Sequence, residues 1–225
     1  MRQIIKTKDN SDTIFDDFIN ESFHSVNGAI SESIHVFIEA GFKEIIKTKD
    51  KNLNILEIGF GTGLNTILTF EENIKNTNLI VNYDSIELYP LEIDIYNNLS
   101  YKNINTDIFS KIHQLDWNKE FNLSNNFIFK KININLLDFD TLKKYDLVYF
   151  DAFSPDKQPE LWTTNVFEKI KSFMTDKNSI LVTYCAKGYV KRNLKEVGFI
   201  LETLKGPVGK REMIRVRNNI LTNLS

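Results

Sequence analysis

The stretch from Leu53 to Asn65, LNILEIGFGTGLN, indicates the fold class of the chain. It begins as a short apolar strand, passes through three closely spaced glycines, and continues into a segment with helical spacing of its apolar residues. Glycines at such a turn permit a positive φ and let a ligand approach the backbone closely. A strand, a glycine turn and a helix in this order are typical of α/β proteins that bind ligands at the carboxyl ends of their strands.

The spacing of the glycines separates two kinds of ligand. The dinucleotide fingerprint G-x-G-x-x-G, counted from Gly59, requires a glycine at the position that Leu64 occupies. Without a pyrophosphate to hold, the turn can instead approach the amino-acid part and the ribose of a nucleoside ligand. The pattern therefore favours a nucleoside ligand and makes an NAD-dependent dehydrogenase the least favoured function.

Short apolar runs suited to buried strands alternate with helical patterns along the rest of the chain. The strand candidates are Leu53–Ile58, Leu79–Glu87, Phe127–Ile132, Tyr145–Asp151, Ser179–Tyr184, Phe199–Leu204 and Glu212–Val216. This alternation predicts an α/β fold with a mostly parallel, seven-stranded sheet. Only seven residues separate the last two candidates, too few for a crossover helix, so we expect a C-terminal antiparallel hairpin.

Helices are predicted between the strands and ahead of them. One helix has Thr163 or Thr164 as its N-cap, and another stops at Gly198. Residues 1–50 are predicted to form a short N-terminal helical extension that lies over the carboxyl edge of the sheet. Its apolar face would contain Ile34, Phe37, Ile38 and Phe42.

Length and composition limit the possible classes of protein. A chain of 225 residues, 42% hydrophobic and 26% charged, predicts a single domain over 1–225, with 51–225 as its α/β core. No stretch approaches the roughly 20 apolar residues of a membrane-spanning helix, and the first residues lack the apolar core of a signal peptide. With Cys185 as the only cysteine and three scattered histidines, we expect no disulfide, no metal and a cytoplasmic location.

The net charge of −2 hides an asymmetry. From Lys187 to Arg217 the chain has nine Lys or Arg and three Glu, so this segment is net +6 and the remainder is −8. A basic C-terminal segment on an acidic body can hold a phosphate backbone. An ordinary solvated charged surface is the alternative, and composition alone favours it.

Three acidic residues stand at the ends of predicted strands. Glu57 precedes the glycine turn, and Glu87 ends the second strand, where a carboxylate can accept both ribose hydroxyls. Asp151 ends the strand that we expect beside the glycine strand. Each of these residues alone could be solvated or could cap a loop. Their occurrence together with the glycine turn favours a nucleoside site with Asp151 facing the same cleft.

Five blocks of sequence point to one family. They are FHSVNGA from Phe23, LEIGFGTGLN from Leu56, DAFSP from Asp151, WT from Trp162 and GPVGKREM from Gly206. With these blocks the chain resembles, over nearly its whole length, the tRNA 5-methylaminomethyl-2-thiouridine methyltransferases in their stand-alone form, without the flavin oxidase domain. The DAFSP and GPVGKREM blocks are specific to that family, whereas most class I methyltransferases share the glycine turn.

The resemblance implies a Rossmann-like class I methyltransferase that uses S-adenosylmethionine and no flavin or metal. It implies methylation of the aminomethyl nitrogen of 5-aminomethyl-(2-thio)uridine at the tRNA wobble position, after a separate enzyme has supplied the amine. Asp151 would be catalytic. The implied cofactor-binding residues are Glu57, Gly59, Gly61, Gly63, Asn65, Glu87 and Asn135. The implied substrate-binding residues are Asn27, Glu32, Phe153, Pro155, Lys210 and Arg211.

The role expected of Asp151 follows from the chemistry of a sulfonium methyl donor. The displacement requires an aligned acceptor with a free lone pair. An Asp with an ordinary pKa is a poor general base for an amine, so we expect Asp151 to orient the amine through its N–H bonds.

The chain departs from the family pattern in two places. Ile134-Asn135 stands where the family has Gly-Asp, and Val208-Gly209 precedes Lys210. Two other functions also stay open: an aminopropyltransferase of the spermidine synthase type, and a non-catalytic module that binds a nucleoside or tRNA. The basic C-terminal segment favours RNA over a polyamine, and the intact strand-end acids argue against loss of catalysis.

Overall fold

The computed structural model of the chain describes residues 1–76, 78–175 and 177–219, which contain two β-sheets and the helices around them. The strands are β1 (Arg2–Lys6), β2 (Asp12–Asp16), β3 (Glu21–Ser22), β4 (Asn52–Ile58), β5 (Ile80–Glu87), β6 (Glu120–Ser124), β7 (Phe127–Asn133), β8 (Leu147–Phe150), β9 (Lys177–Thr183), β10 (Phe199–Lys205) and β11 (Glu212–Asn219). The α-helices are α1 (Ala29–Ser33), α2 (Lys43–Ile45), α3 (Leu64–Asn73), α4 (Ile93–Tyr96), α5 (Thr106–Gln114), α6 (Thr164–Phe173) and α7 (Gly188–Glu196). A π-helix, Ile34–Phe42, joins α1 to α2, and a 3₁₀-helix, Pro159–Trp162, precedes α6.

The large sheet has eight strands in the order β10-β11-β9-β8-β4-β5-β7-β6. Strands β9, β8, β4, β5 and β7 are parallel, and β10 and β11 form the expected antiparallel hairpin. The predicted fold class is therefore confirmed. The predicted number of seven strands is wrong by one, because β6 adds an antiparallel edge strand. Only Leu123 of β6 is buried, so its sequence carries little of the apolar signal that marks the inner strands.

The N-terminal extension is only partly helical. The first strands, β1, β2 and β3, form a small antiparallel sheet, so the prediction of a helical extension over 1–50 is wrong for this part. The helical part, 29–45, packs on the face of the large sheet, with contacts to β8, β9 and α3, and not over its carboxyl edge as expected. The small sheet covers that edge instead, where Arg2 donates hydrogen bonds to the carbonyls of Tyr89 and Pro90.

The π-helix explains why the expected apolar face of this segment is only partly right. Phe37, Ile38 and Phe42 are buried as predicted, but Ile34 is 37% exposed. Hydrogen bonds from residue i to i+5 widen the turn, so the spacing of an α-helix does not identify the inner face. Gly41 faces the sheet here, and a Cβ at this position would lie 3.1 Å from both Tyr149 and Val182.

The core has two layers because side chains alternate along each strand. In β8, Leu147 and Tyr149 point into the layer beneath the helical segment 29–45 and α3, whereas Val148 and Phe150 point into the layer beneath α6 and α7. Helix α6 begins as expected, since the Thr163 hydroxyl accepts the N–H of Val166. Among the described residues, no helix has the length and apolar character needed to cross a membrane.

The close packing at Gly41 leads to a prediction about stability. Gly41→Val should lower the free energy of unfolding by about 1–3 kcal/mol, because the added methyl groups overpack the contact with Tyr149 and Val182. Gly188→Ala is the matched control: its Cβ would meet only Arg192, at 3.5 Å, and alanine favours a helix by up to about 1 kcal/mol. Urea denaturation measures the free energy of unfolding of the two variants. An unchanged midpoint for Gly41→Val would show that the helical segment does not pack as described.

Candidate active site

The carboxyl ends of β4, β5 and β8 are joined at the glycine turn. The N–H of Gly59 donates to the carbonyl of Ile86 at 2.9 Å, and the N–H of Asp151 donates to the carbonyl of Ile58 at 3.0 Å. Gly59 has a φ of +93°, and a Cβ there would lie 2.5 Å from the backbone oxygen of Asp151. Only glycine satisfies both conditions, and its presence brings the turn and the Asp151 strand into backbone contact.

A cavity of about 970 Å³ opens at this edge of the sheet. Its volume lies at the upper end of the range of about 300–1,000 Å³ that is usual for ligand sites, which leaves room for two ligands side by side. Predicted site residues that line it are Gly59, Gly61, Asn65, Glu87, Asn135, Asp151, Glu32, Phe153 and Lys210. The small N-terminal sheet and the segment after it supply the opposite wall.

Asp151 lies on the wall of the cavity, directly after β8. Its Oδ2 accepts a hydrogen bond from the Asn65 amide at 2.8 Å, which ties it to the first turn of α3. Burial raises the pKa of Asp151 to about 7, although the Asn65 hydrogen bond opposes the rise. The ordinary Asp pKa assumed from the sequence is therefore not the value at this site, and the carboxyl group changes charge near neutral pH.

The loop after Asp151 is held by three sets of hydrogen bonds. The N–H of Phe153 donates to Gln158, and its carbonyl accepts the indole N–H of Trp162 at 2.9 Å. The backbone and hydroxyl of Ser154 both donate to Glu21 of β3. This loop is therefore fixed between the small sheet and the 3₁₀-helix. Phe153 faces the cavity, while Pro155 is buried and does not line it.

Glu87 and Asn135 lie on the side of the cavity formed by β5 and β7. One oxygen of Glu87 accepts the N–H of Gly61 at 3.0 Å, and the other accepts the N–H of Tyr89 at 2.9 Å. Each carboxylate oxygen keeps a lone pair for a ligand hydroxyl. The side-chain oxygen of Asn135 accepts the N–H of Leu137 at 2.9 Å, so it already caps its own loop.

Glu57 and Gly63 do not line the cavity. The Glu57 side chain is fully buried behind the turn, where it accepts hydrogen bonds from Thr66 and Ser85. Burial raises its pKa to about 8. Gly63 has a φ of +72° and begins α3, and a Cβ there would meet the Phe60 ring at 3.0 Å. Their roles in cofactor binding stay predictions, and in this structure both residues help to shape the turn.

Glu32 and Lys210 form an ion pair on the wall of the cavity, with 2.6 Å between Oε1 and Nζ. The second oxygen of Glu32 accepts the N–H of Ser25 at 2.7 Å. The Lys210 ammonium also lies 3.9 Å from the centroid of the Tyr184 ring, a cation–π distance. Glu32, which lies three residues after the FHSVNGA block, and Lys210, in the GPVGKREM block, are therefore brought together by the fold although they are far apart in the chain.

Asn27 and Arg211 lie outside the cavity. Asn27 accepts a hydrogen bond from Lys8 and packs against Gly209 of the β10–β11 loop. Arg211 is exposed and, among the described residues, takes part in no ion pair. Five of the nine basic residues of the segment Lys187–Arg217 are ion-paired: Lys187, Lys191, Lys210, Arg215 and Arg217. Three of their partners, Glu32, Glu44 and Asp156, lie outside the segment, so about half of its net +6 charge is compensated.

Among the cavity-lining residues that sequence reasoning did not assign to the site are Glu21, Phe23, His24 and Tyr184. Tyr184 directly follows β9, the neighbour of β8, so the rule that ligands bind at the carboxyl ends of parallel strands could have identified it. Glu21 belongs to β3 of the small sheet, which the sequence did not reveal, and Phe23 and His24 follow that strand directly. His24 joins this sheet to the turn through Thr13 and Thr62, and burial lowers its pKa to about 4.

Comparisons with known proteins agree with this arrangement. A profile of S-adenosyl-L-methionine-dependent methyltransferases matches residues 93–219. The chain is 31% identical, over 213 residues, to a Campylobacter hominis protein named tRNA 5-methylaminomethyl-2-thiouridine biosynthesis bifunctional protein MnmC, with 92% of this chain and 31% of the relative covered. A Leptospira interrogans protein of the same name is 31% identical over 232 residues, with 92% and 34% covered. The chain thus spans about a third of the length of these relatives.

Solved structures show the same fold. The crystal structure of MNMC2 from Aquifex aeolicus superposes with a TM-score of 0.82 at 25% identity, covering 97% of this chain and 70% of that chain. A putative class I S-adenosylmethionine-dependent methyltransferase from Listeria monocytogenes superposes with a TM-score of 0.54 at 13% identity, covering 88% and 63%. The second likeness concerns the fold alone.

The buried Glu57 leads to a prediction about pH. A carboxyl group with a raised folded pKa contributes stability that is lost as pH rises from the unfolded value, 4.5, to the folded value, about 8. Glu57→Gln removes this titration, so its stability relative to the parent should increase across that window by on the order of 5 kcal/mol. Chemical denaturation at each pH measures the difference. Glu120→Gln, exposed on the edge strand, is the control, and its stability relative to the parent should not change with pH. If the stability difference between Glu57→Gln and the parent were also independent of pH, that result would contradict a neutral Glu57 in the folded protein.

Proposed function

We infer that this chain, which belongs to the S-adenosyl-L-methionine-dependent methyltransferase family, is a tRNA-modifying N-methyltransferase. It transfers a methyl group to the aminomethyl nitrogen of 5-aminomethyl-(2-thio)uridine at the wobble position, giving 5-methylaminomethyl-(2-thio)uridine. The observation that supports this most is the position of Asp151: its carboxyl group lies in one cavity with the glycine turn and Glu87, next to a loop that is specific to the family it resembles.

The residues around the turn fit a nucleoside cofactor. Glu87 faces the cavity with lone pairs left for two ribose hydroxyls. The Asn65 side-chain oxygen is buried and has no hydrogen-bond partner among the described residues, so it can accept a bond from a ligand. The backbone at Gly59 and Gly61 carries no side chain that would keep a ligand away. These residues would hold S-adenosylmethionine, with Asn135 beside the adenine.

The mechanism assigns little covalent work to the protein. When bound, S-adenosylmethionine supplies a methyl group on a positively charged sulfur. The Asp151 carboxylate accepts an N–H bond from the acceptor amine and directs its lone pair toward the cofactor side of the cavity. Phe153 and Tyr184 give the acceptor base an apolar wall that excludes water. The amine must be neutral to attack, so the charges around Asp151 decide how much of it can react.

Several finer assignments belong to the same proposal. These are tRNA as the partner, a separate enzyme that supplies the amine, the absence of a flavin, a single domain over 1–225 and a cytoplasmic location. Pro155, Asn27 and Arg211 lie outside the cavity. Any contact of these residues with tRNA would therefore be with the body of the tRNA and not with the modified base.

The proposed activity is tested directly on tRNA. Protein is incubated with methyl-labelled S-adenosylmethionine and tRNA that carries 5-aminomethyl-uridine, and the nucleosides are analysed by mass spectrometry. We expect one labelled methyl group on the aminomethyl nitrogen. Absence of label from that nucleoside would refute the proposal, and an aminopropyl product with decarboxylated S-adenosylmethionine would favour the aminopropyltransferase function.

Glu87 provides a test of the cofactor site. Glu87→Ala should weaken the binding of S-adenosylhomocysteine by about 1–3 kcal/mol, because hydrogen bonds to a charged acceptor are lost. Calorimetry measures the binding, with exposed Glu120→Ala as the control that should match the parent. NAD should not bind to the parent protein. Equal affinities of the parent and Glu87→Ala would remove Glu87 from the site.

Asp151 provides a test of the mechanism. Asp151→Asn should keep the fold and most of the cofactor affinity but slow single-turnover methylation by about 10²–10⁴-fold, the usual effect of a positioned acid–base group. An amide oxygen accepts one bond without charge, and its NH₂ group opposes the N–H bonds of the amine. The parent rate should also rise through the pKa of Asp151 at about 7, a step that the variant lacks. Asp138→Asn, at an exposed site, is the control, and a parental rate for Asp151→Asn would make Asp151 a structural loop residue.

A further inference from the structure

Lys210 is a cation held inside the cavity of the proposed active site. Its ammonium is paired with Glu32 at 2.6 Å and lies over the Tyr184 ring at 3.9 Å, and its side chain is 33% exposed. The Tyr184 hydroxyl donates to the carbonyl of Ala152 at 2.9 Å, so the ring beneath Lys210 is attached to the residue after Asp151. Lys210 is therefore directed toward the reacting end of the cavity and not toward a phosphate outside it.

The Glu32–Lys210 pair acts on Asp151 with opposite signs. Burial is the main cause of the raised pKa of Asp151, Glu32 raises it further, and Lys210 lowers it. The same two groups act on His24, whose pKa burial lowers, with Glu32 opposing and Lys210 adding to the effect. The charges of this pair therefore act on the pKa of the catalytic carboxyl group, and Lys210 opposes the effect of Glu32.

The other titratable groups near the Glu32–Lys210 pair do not remove the opposition between its two charges. Glu21 is held by Ser154, Asp156 is paired with Lys187, and Lys157 lies on the outer wall. Burial raises the pKa of the Tyr184 phenol and of the Cys185 thiol, so both are neutral near pH 7. Arg2 and Asp16, on the wall formed by the small sheet, pair with each other, and the exposed Glu160 also lines the cavity. Asp9 acts on His24 from the β1–β2 turn, Glu87 lies on the cofactor side, and Glu57 is neutral below a pKa of about 8.

The proposed reaction places a specific demand on these charges. A primary amine is mostly protonated at neutral pH, and only its neutral form can attack a methyl group. Carboxylates stabilise the protonated form, and a nearby cation destabilises it. Two uncompensated carboxylates, Asp151 and Glu32, would hold the amine as an unreactive ammonium ion.

We propose that Lys210 is a positioning residue that neutralises Glu32 and thereby keeps the acceptor amine unprotonated beside Asp151. This proposal rests on the proposed function. Glu32 holds the Lys210 ammonium near the site, and the Tyr184 face limits where the ammonium can lie. The pair leaves Asp151 as the one carboxylate that directs the amine, so the amine is oriented without being stabilised as a cation.

The test compares single-turnover rates across pH for the parent, Lys210→Met, Glu32→Gln and the double variant. Lys210→Met should move the midpoint of the rising pH profile upward by about one pH unit, the scale of a unit charge on the order of 10 Å away at an effective dielectric constant of about 20. Glu32→Gln should move it downward, and the double variant should return close to the parent. Lys205→Met, exposed on the same hairpin, is the control that leaves the profile unchanged.

A second measurement does not depend on the reaction. The carboxyl carbon of Asp151, followed by NMR in the protein without tRNA, should titrate at higher pH in Lys210→Met and at lower pH in Glu32→Gln. If Lys210→Met fails to fold, Glu32→Gln still tests the proposal, because it keeps an acceptor for the N–H of Ser25.

The outcomes are separable. Unchanged pH midpoints in both single variants, or loss of tRNA affinity by Lys210→Met without a pH shift, would overturn the proposal and make Lys210 a structural or phosphate-binding residue. Failure of the parent to methylate aminomethyl-uridine tRNA would refute the proposed function instead. The NMR titrations would in that case still report whether the Glu32–Lys210 pair sets the charge at Asp151.

Discussion

The site depends on the backbone contact between Gly59 and Asp151. A Cβ at Gly59 would lie 2.5 Å from the Asp151 carbonyl oxygen, so the glycine turn and the end of β8 can meet only without a side chain there. The contact sets the position of the Asp151 carboxyl group relative to the turn and to Asn65. The cavity extends from this point, because the parallel strands end at the same edge of the sheet.

Two carboxyl groups at this edge have pKa values well above those of carboxyl groups in water. Glu57 is fully buried with a pKa of about 8, and Asp151 has a pKa of about 7, in both cases because burial penalises the ionised form. A neutral Glu57 supports the turn through Thr66 and Ser85 without adding a negative charge to the cavity. The Glu32–Lys210 pair also bears on Asp151, because Lys210 opposes the effect of Glu32 on its pKa.

The small N-terminal sheet forms one wall of the cavity. Arg2 joins it to the loop after β5, Glu21 joins it to the Asp151 loop, and His24 joins it to the turn. The part of the predicted helical extension that forms β1, β2 and β3 thus lies across the carboxyl edge of the large sheet, whereas residues 29–45 are helical as expected.

The sequence by itself determined the α/β class, seven of the eight strands of the large sheet and the C-terminal hairpin. It also placed Asp151 and Glu87 at one edge of that sheet. These features are local, because strand periodicity, glycine spacing and acidic residues at strand ends can each be recognised from residues that are close together in the sequence. Only the tertiary structure decided that Glu57 lies behind the turn, that a π-helix brings Gly41 against the sheet, and that Lys210 enters the cavity to meet Glu32. Burial, protonation and ion pairing depend on groups distant in the chain, and residues 32 and 210 become neighbours only when the sheet and its N-terminal cover have formed.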